Sequence, residues 1–273
     1  ICYCLTPTRY LWSGYSDYQN NPGFGVLNPL VKILLPFIVK ILRVCDKIAC
    51  ARPDYYIAIS KTVKERIRKY YKRESEVVYP GVDVEKFQSA RWRTNTKSKK
   101  VENYYLIVSR LVPYKRIDLA VKAFNKLGWK LKIAGTGVEL DKLKRIAKYN
   151  IEFLGKLTDE KLISYYQDCR ALICTQEEDF GLVSIEAQAF GKPVIAFAKG
   201  GVAETVVPGK TGILFKEQAV KSLLDALKKF TSMKFLSADC RNNALEYNKV
   251  DFKKNFKQKV TKLWNQYKNI SMP

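Results

Sequence analysis

Apolar and polar positions follow two alternating periods along much of this 273-residue chain, most regularly from residue 104 onward. YYLIVS (104–109) is a short, unbroken apolar run, and RIDLAVKAFNKL (116–127) carries its apolar residues at helical spacing. The pair of patterns then recurs. WKLKIAG (129–135) precedes a helix over 138–148, IEFLG (151–155) a helix over 158–168, and ALICT (171–175) a helix over 181–190. PVIAFA (193–198) follows, then a segment ending in GILF (212–215). Short apolar runs alternating with longer helices predict βαβ units and a parallel sheet. Ligands of such sheets bind outside the C-terminal strand ends, so the loops there are where chemistry is expected.

Beyond this block the pattern is helical, with helices expected over 218–230 and 251–267. Upstream, helices are expected over 27–48 and over 62–71, the second entered through Ser60-Lys61-Thr62. On a wheel of 27–48, Leu30, Val31, Leu34, Leu35, Ile38, Ile41, Leu42 and Cys45 share an arc of roughly 140°, with Lys32, Lys40, Arg43 and Lys47 opposite. Pro36 is expected to kink this helix. The pattern predicts a helix that packs its apolar arc on a core and keeps a wet basic face; an interfacial membrane helix is the alternative. Lysines interrupt the run too soon for a membrane span.

Composition is that of a globular protein, 47% hydrophobic and 27% charged. The chain opens on Ile1 within a strand-like run, so further chain upstream is expected and the lack of a signal peptide is uninformative. Net charge is +23, from 49 basic and 26 acidic residues. Such a balance suits nucleic acid, an anionic membrane or an acidic substrate, or lysines spread over solvated faces. No nucleic-acid recognition motif accompanies the charge. The densest basic run, RWRTNTKSKK (91–100), has the composition of an exposed loop. Seven cysteines form no regular framework, and the chain has no histidine. Reduced thiols in a cytoplasmic protein are expected, and Ser-His or Cys-His nucleophiles are excluded within these residues.

Four strand-end features carry candidate chemistry. Arg110 and Lys115 lie five residues apart at a strand–helix turn, where two cations can clamp a diphosphate. Gly135-Thr136-Gly137 ends another strand and permits close backbone approach to a ligand, or makes a plain turn. Glu178-Asp-Phe-Gly-Leu-Val-Ser-Ile-Glu186 spans the next junction. Gly181 and Leu182 there would present amides at a helix N-terminus, and two carboxylates can meet sugar or ribose hydroxyls. Lys199-Gly200-Gly201 and Glu204 follow the next strand. Each feature alone fits a turn or a solvated helix start; their recurrence at successive strand ends does not.

The set SRLVPYK (109–115), IAGTG (133–137), FLG (153–155), EDFGLVSIEAQAFGKPVIA (178–196) and KGGVAETV (199–206) resembles glycosyltransferase family 4, retaining enzymes of the GT-B fold. The resemblance extends upstream through TPTRYLW (6–12), YIAISKTVKERIRKYY (56–71) and VVYPGVDVEKF (77–87), the first typical of a mannosyltransferase-like subgroup.

That resemblance implies an α/β protein with Rossmann-like parallel sheets and flanking helices. Residues 1–78 would be the remnant of an acceptor-side domain, 79–250 a complete donor-binding domain, and 251–273 a helix packing back on the first. Arg110 and Lys115 would neutralise the donor diphosphate in place of a metal, with no cofactor beyond a GDP- or UDP-linked sugar. Glu178 would hold the sugar and Glu186 the ribose. The Gly181–Leu182 amides would take the distal phosphate, and the loop at Gly155–Leu157 would face the base; Gly135 would border the donor. The implied reaction moves a hexose, mannose among the candidates, to a lipid-linked or polysaccharide acceptor of the cell envelope. Apart from the resemblance, the basic faces of 27–48 and 62–73 can attract anionic lipids, so a cytoplasmic protein held peripherally at the inner face of a membrane is expected. Leu5 stands where the family carries a histidine that contacts the donor sugar, which opens a second reading as a donor-binding pseudoenzyme or assembly scaffold.

Overall fold

The structure, a computed structural model, describes residues 1–20, 25–84 and 103–271. The basic run 91–100 and the end of the 77–87 motif lie outside the described residues. Contacts divide the chain into two units: Ile1–Tyr79 with Phe252–Pro273, and Pro80–Asp251.

In the first unit three short parallel strands, β1 (Cys2–Cys4), β2 (Tyr56–Ala58) and β3 (Ser75–Val77), pair in that order. Helices α1 (Tyr15–Asn20) and α2 (Asn28–Ala51) lie between β1 and β2, and α3 (Lys61–Arg66) between β2 and β3. The Ser60 hydroxyl accepts from the Val63 amide and caps α3, which widens into a π-turn over Ile67–Tyr71. Ile57 and Val78 form a small core with Leu263, Phe252 and Phe256. Tyr3 meets Phe256 edge-on at 5.0 Å and donates its hydroxyl to the Val78 carbonyl at 2.9 Å.

Helix α2 overturns one expectation. Its apolar arc does not enter the core: Leu30, Leu34, Ile38, Ile41, Leu42 and Cys45 are exposed, and Val31 and Leu35 are half-buried. The helix packs instead through Val39, Arg43, Asp46 and Cys50. Arg43, expected on the wet face, donates to the Leu11 carbonyl at 2.7 Å and lies over the rings of Trp12 and Tyr15. Asp46 accepts from the Thr8 hydroxyl at 2.8 Å and the Trp12 indole at 2.6 Å. These polar and cation–π anchors in the 6–12 motif fix the helix's rotation and turn the apolar stripe outward. Among the described residues no helix is long and apolar enough to cross a membrane.

In the second unit six parallel strands stand in the order β6-β5-β4-β7-β8-β9. They are β4 (Tyr104–Val108), β5 (Lys130–Ala134), β6 (Ile151–Gly155), β7 (Ala171–Cys174), β8 (Val194–Phe197) and β9 (Gly212–Phe215). Between them run α4 (Ile117–Leu127), α5 (Leu140–Ile146), α6 (Asp159–Asp168), α7 (Leu182–Ala189) and α8 (Val202–Thr205). Helices α9 (Val220–Thr231), α10 (Ser237–Leu245) and α11 (Lys249–Ser271) close the chain, α11 belonging to the first unit from Phe252 on.

Burial on both faces explains the unbroken apolar strands. Along β4, Tyr105 and Ile107 join the cluster under α4 and α9, with Phe124, Leu227 and Phe230. Tyr104 and Leu106 join the opposite cluster, with Tyr166 of α6 and Ala187 of α7. The chain winds outward from β4 through β5 to β6, then returns beside β4 as β7 and winds the other way. Strands β4 and β7 thus flank the topological switch point, where a crevice opens above the sheet.

Candidate functional site

At that switch point a cavity of about 450 Å³ is lined by side chains from four successive strand ends. Ser109, Arg110 and Lys115 follow β4; Gly135 and Thr136 follow β5; Lys156 and Leu157 follow β6; Glu178 follows β7. Val108 and Ala134 at the ends of β4 and β5, Leu162 of α6 and Val183 of α7 complete it.

Lys115 is the buried cation here, only 8% exposed. Pro113 opens a 3₁₀ turn over Pro113–Lys115, and the Thr175 hydroxyl donates to the Lys115 carbonyl at 2.8 Å, tying this turn to the end of β7. Its ammonium donates to Glu178 Oε1 at 2.5 Å, and the same oxygen accepts from buried Gln176 at 2.6 Å. Two donors on one carboxylate oxygen, with both members of the ion pair largely buried, restrain the Glu178 side chain. Arg110 is exposed and donates to the Tyr114 hydroxyl at 2.8 Å, while the Lys115 ammonium lies 5.3 Å from the centre of the Tyr114 ring. Tyr114 therefore spaces the two cations.

Gly135, at φ 135°, faces the loop after β4: a Cβ there would meet the Ser109 carbonyl oxygen at 1.8 Å. Contact between the β4 and β5 loops explains this glycine without a ligand, although it borders the cavity. Gly200, at φ 80°, plays the same part behind Glu178, whose carbonyl oxygen would lie 2.4 Å from an added Cβ. The Gly201 amide donates to that carbonyl at 2.6 Å. The 199–201 segment is thus a backbone brace for the loop carrying Glu178.

Gly181 is the N-cap residue of α7 and Leu182, 46% exposed, its first residue; neither lines the cavity. Glu186 lies one turn beyond the cavity-lining Val183, on the same face of α7. Its Oε2 accepts from the hydroxyl of Tyr166 at 2.9 Å, and Tyr166 stacks on Phe190 at 5.6 Å. Burial holds the Glu186 carboxyl above the usual carboxylate range, while the Tyr166 hydrogen bond pulls it down. Burial, and secondly the Glu186 charge, raise the Tyr166 phenol well above its ordinary value. Beneath the site, burial pushes the Cys174 thiol up to about 12, making it a packing group. Gly155, at φ 68°, precedes the cavity-lining Lys156 and Leu157.

The structure gathers Arg110, Lys115, Glu178, Gly135 and Leu157 around one cavity, sets Glu186 beside it, and leaves Gly155, Gly181 and Leu182 outside the lining. Sequence reasoning did not single out Tyr114, Gln176 or Tyr166, and took Lys156 only as part of the Gly155–Leu157 loop. Tyr114 and Gln176 lie within or beside the recognised motifs; nothing local marks Tyr166, which meets Glu186 only through the fold. Leu5, in the first unit, is 64% exposed.

Residues 88–247, more than half the chain, match the family model described as Glycosyl transferases group 1. The chain belongs to this family. Curated relatives of this glycosyl transferase chain agree. An uncharacterized glycosyltransferase of Methanocaldococcus jannaschii is 27% identical over 74% of this chain and 57% of its own length. A GDP-mannose-dependent alpha-(1-6)-phosphatidylinositol monomannoside mannosyltransferase of Mycobacterium tuberculosis is 31% identical over 56% of this chain and 45% of its own. The chain thus spans about half the length of these two relatives. Among solved structures, sucrose-phosphate synthase from Thermosynechococcus elongatus superposes with a TM-score of 0.71 at 22% identity, covering 83% of this chain and 62% of that one. Anabaena HepE in complex with UDP and glucose gives 0.66 at 21% identity, over 81% and 66%. The fold class is α/β, GT-B.

Proposed function

We propose that this glycosyl transferase chain serves a retaining hexosyltransferase, which moves a hexose, mannose among the candidates, from a GDP- or UDP-linked donor to a lipid-linked or polysaccharide acceptor. The observation that carries the reading is the pairing of Lys115 with Glu178, beside Arg110, in a cavity at the sheet's switch point. A cation held against a carboxylate can exchange partners when a diphosphate and a sugar enter together. The ammonium then turns to the phosphates and the carboxylate to the sugar hydroxyls. The mannosyltransferase among its relatives is named for GDP-mannose, and HepE holds UDP and glucose, which supports a nucleotide-sugar donor.

In the reaction the bond from the anomeric carbon to the leaving diphosphate oxygen breaks, and its electrons stay on the phosphate. The acceptor oxygen bonds to that carbon from the same face, and its proton passes to the departing diphosphate. Arg110 and Lys115 stabilise the charge that grows there, without an added metal in this reading. Fixed charges in a partly dry cleft act strongly because they need little reorganisation. Glu186 would bind the ribose through the carboxylate oxygen that Tyr166 leaves open. The Gly181–Leu182 amides would take the distal phosphate and the Gly155–Leu157 loop would face the base.

Titration calorimetry with UDP and GDP, alongside nucleotide-sugar hydrolysis, tests this. Wild type should bind one of them, and Arg110→Ala should weaken binding by about 10- to 100-fold. If neither nucleotide binds, no nucleotide sugar is hydrolysed and Glu186→Ala changes nothing, the reading fails. Leu5 favours a second reading, a donor-binding pseudoenzyme or envelope-assembly scaffold. Turnover that appears only in Leu5→His supports it, and robust wild-type turnover removes it.

A further inference from the structure

Helix α2 presents Ile33, Phe37, Ile41, Val44 and Ile48 at spacings of four and three residues, a single stripe on the side opposite Val39, Arg43, Asp46 and Cys50. Every member of that stripe is exposed, Phe37 at 69% and Ile41 at 66%. Sixteen residues of helix, 33–48, make it about 22 Å long, a continuous apolar edge rather than a scatter of single side chains.

The charges around the stripe have one sign. Lys40 and Lys47 border it. The single acid of α2, Asp46, has both carboxylate oxygens engaged on the packed side by Thr8 and Trp12. Trp12 stacks on Tyr70 at 5.3 Å, and the ammonium groups of Lys47 and Lys69 lie over the two rings, at 5.9 and 5.3 Å. The whole first unit holds nineteen basic against six acidic residues. Lysines beside exposed aliphatic side chains and an aromatic pair fit the boundary between headgroups and acyl chains.

We propose that this face of α2 docks in the plane of an anionic lipid bilayer, its apolar stripe among the upper acyl chains and Lys40, Lys47 and Lys69 against lipid phosphates. The helix is not apolar enough to span, so it would lie on the surface. A second copy of the chain is the poorer occupant. Two-fold pairing would set the stripe against itself and bring Lys40 and Lys47 close to their own equivalents, with no acid on the face to offset them. The inference is independent of the donor cavity.

Co-sedimentation of the chain with vesicles tests it. Binding should rise with phosphatidylglycerol content, be absent on pure phosphatidylcholine and fall with salt. Phe37→Asp with Ile41→Asp should abolish it, and Lys40→Gln with Lys47→Gln should weaken it about tenfold or more. Both pairs change exposed residues, so thermal unfolding and UDP or GDP binding should stay at wild-type values. An environment-sensitive label on exposed Cys45, in a Cys2→Ser background, should shift to the blue on anionic vesicles. Binding indifferent to phosphatidylglycerol, or unchanged in the double aspartate variant, overturns the proposal. So does a lipid-indifferent chain that forms dimers broken by that variant, which would give the face to a second copy.

Discussion

The two units use apolar residues in opposite ways. In the Pro80–Asp251 unit, each residue of β4 and β7 up to Cys174 joins a buried cluster on one face of the sheet or the other, Val108 packing on the rim. In the Ile1–Tyr79 unit, the most apolar helix keeps its stripe outside and is held by an arginine, an aspartate and an indole. Segregation of apolar from polar positions is thus a statement about two faces. Which face meets the protein is decided by what the neighbouring elements offer, and here the 6–12 motif offers polar anchors. The Pro80–Asp251 unit buries its apolar area beneath a cavity; the first unit leaves the stripe of α2 exposed.

Truncation of matched aromatics should show that contrast at its largest. Phe124→Ala, in the core under β4, should cost about 3–5 kcal/mol, whereas Phe37→Ala should change stability by about 0.5 kcal/mol or less. Denaturant unfolding of both variants measures the difference, and equal costs would show that α2 is covered. Next in size is the pair in the cavity. Lys115→Ala leaves Glu178 with Gln176 as its neutral donor and should destabilise by about 3 kcal/mol. Lys115→Ala with Glu178→Ala should cost less than the two single changes summed.

A smaller effect, and one that depends on pH, is expected at Glu186. Its carboxyl titrates above the ordinary value of 4.5 because burial penalises the charge. Stability from the protonated form is therefore fully present below that value and lost as pH rises through the folded one. Glu186→Gln should raise the melting temperature near pH 7 and give nearly wild-type values below pH 4.5, while weakening nucleotide binding. Tyr166→Phe should act the other way at neutral pH, by about 1–2 kcal/mol, since it removes the donor that steadies the anion. Smallest of all, thiol titration should find Cys45 reactive and Cys174 silent without denaturant, because burial keeps the latter's thiol up at about 12.

Much of the Pro80–Asp251 unit was legible because its strands are buried on both faces and its helices on one. Residues 104–109, 129–135, 151–155, 171–175 and 193–198 each hold a strand within a residue or two of the expected bounds. Helix α10 was missed because SADCRNNAL buries only Cys240 and Ala244, too few for a period to show. In the first unit β1 lies in the run read as strand-like, whereas the three-residue β2 and β3 are shorter than any alternation that can be read. In the site, Arg110, Lys115 and Glu178 stood out because strand-end loops concentrate charge at fixed points of the pattern. Tyr166 did not, since a tyrosine on a helix looks like core until the fold sets its hydroxyl against Glu186. The outward rotation of α2 was also hidden, because its cause lies in Thr8 and Trp12, more than thirty residues away.

The brace behind Glu178 bears on how such a site can be retuned. An added Cβ at Gly200 would meet the Glu178 backbone and the Glu177 stem first, and so would displace the carbonyl of the residue that faces Lys115. Position 200 is therefore a poor place for variation in any library aimed at a different ligand, because changes there would blur the site without reshaping it. Lys156 and Leu157 are the better choice. They line the same cavity, and the loop leaves β6 at Gly155, around which an added Cβ would meet open space. Diversity placed on that rim would alter what enters the cavity while leaving Lys115 and Glu178 where they are.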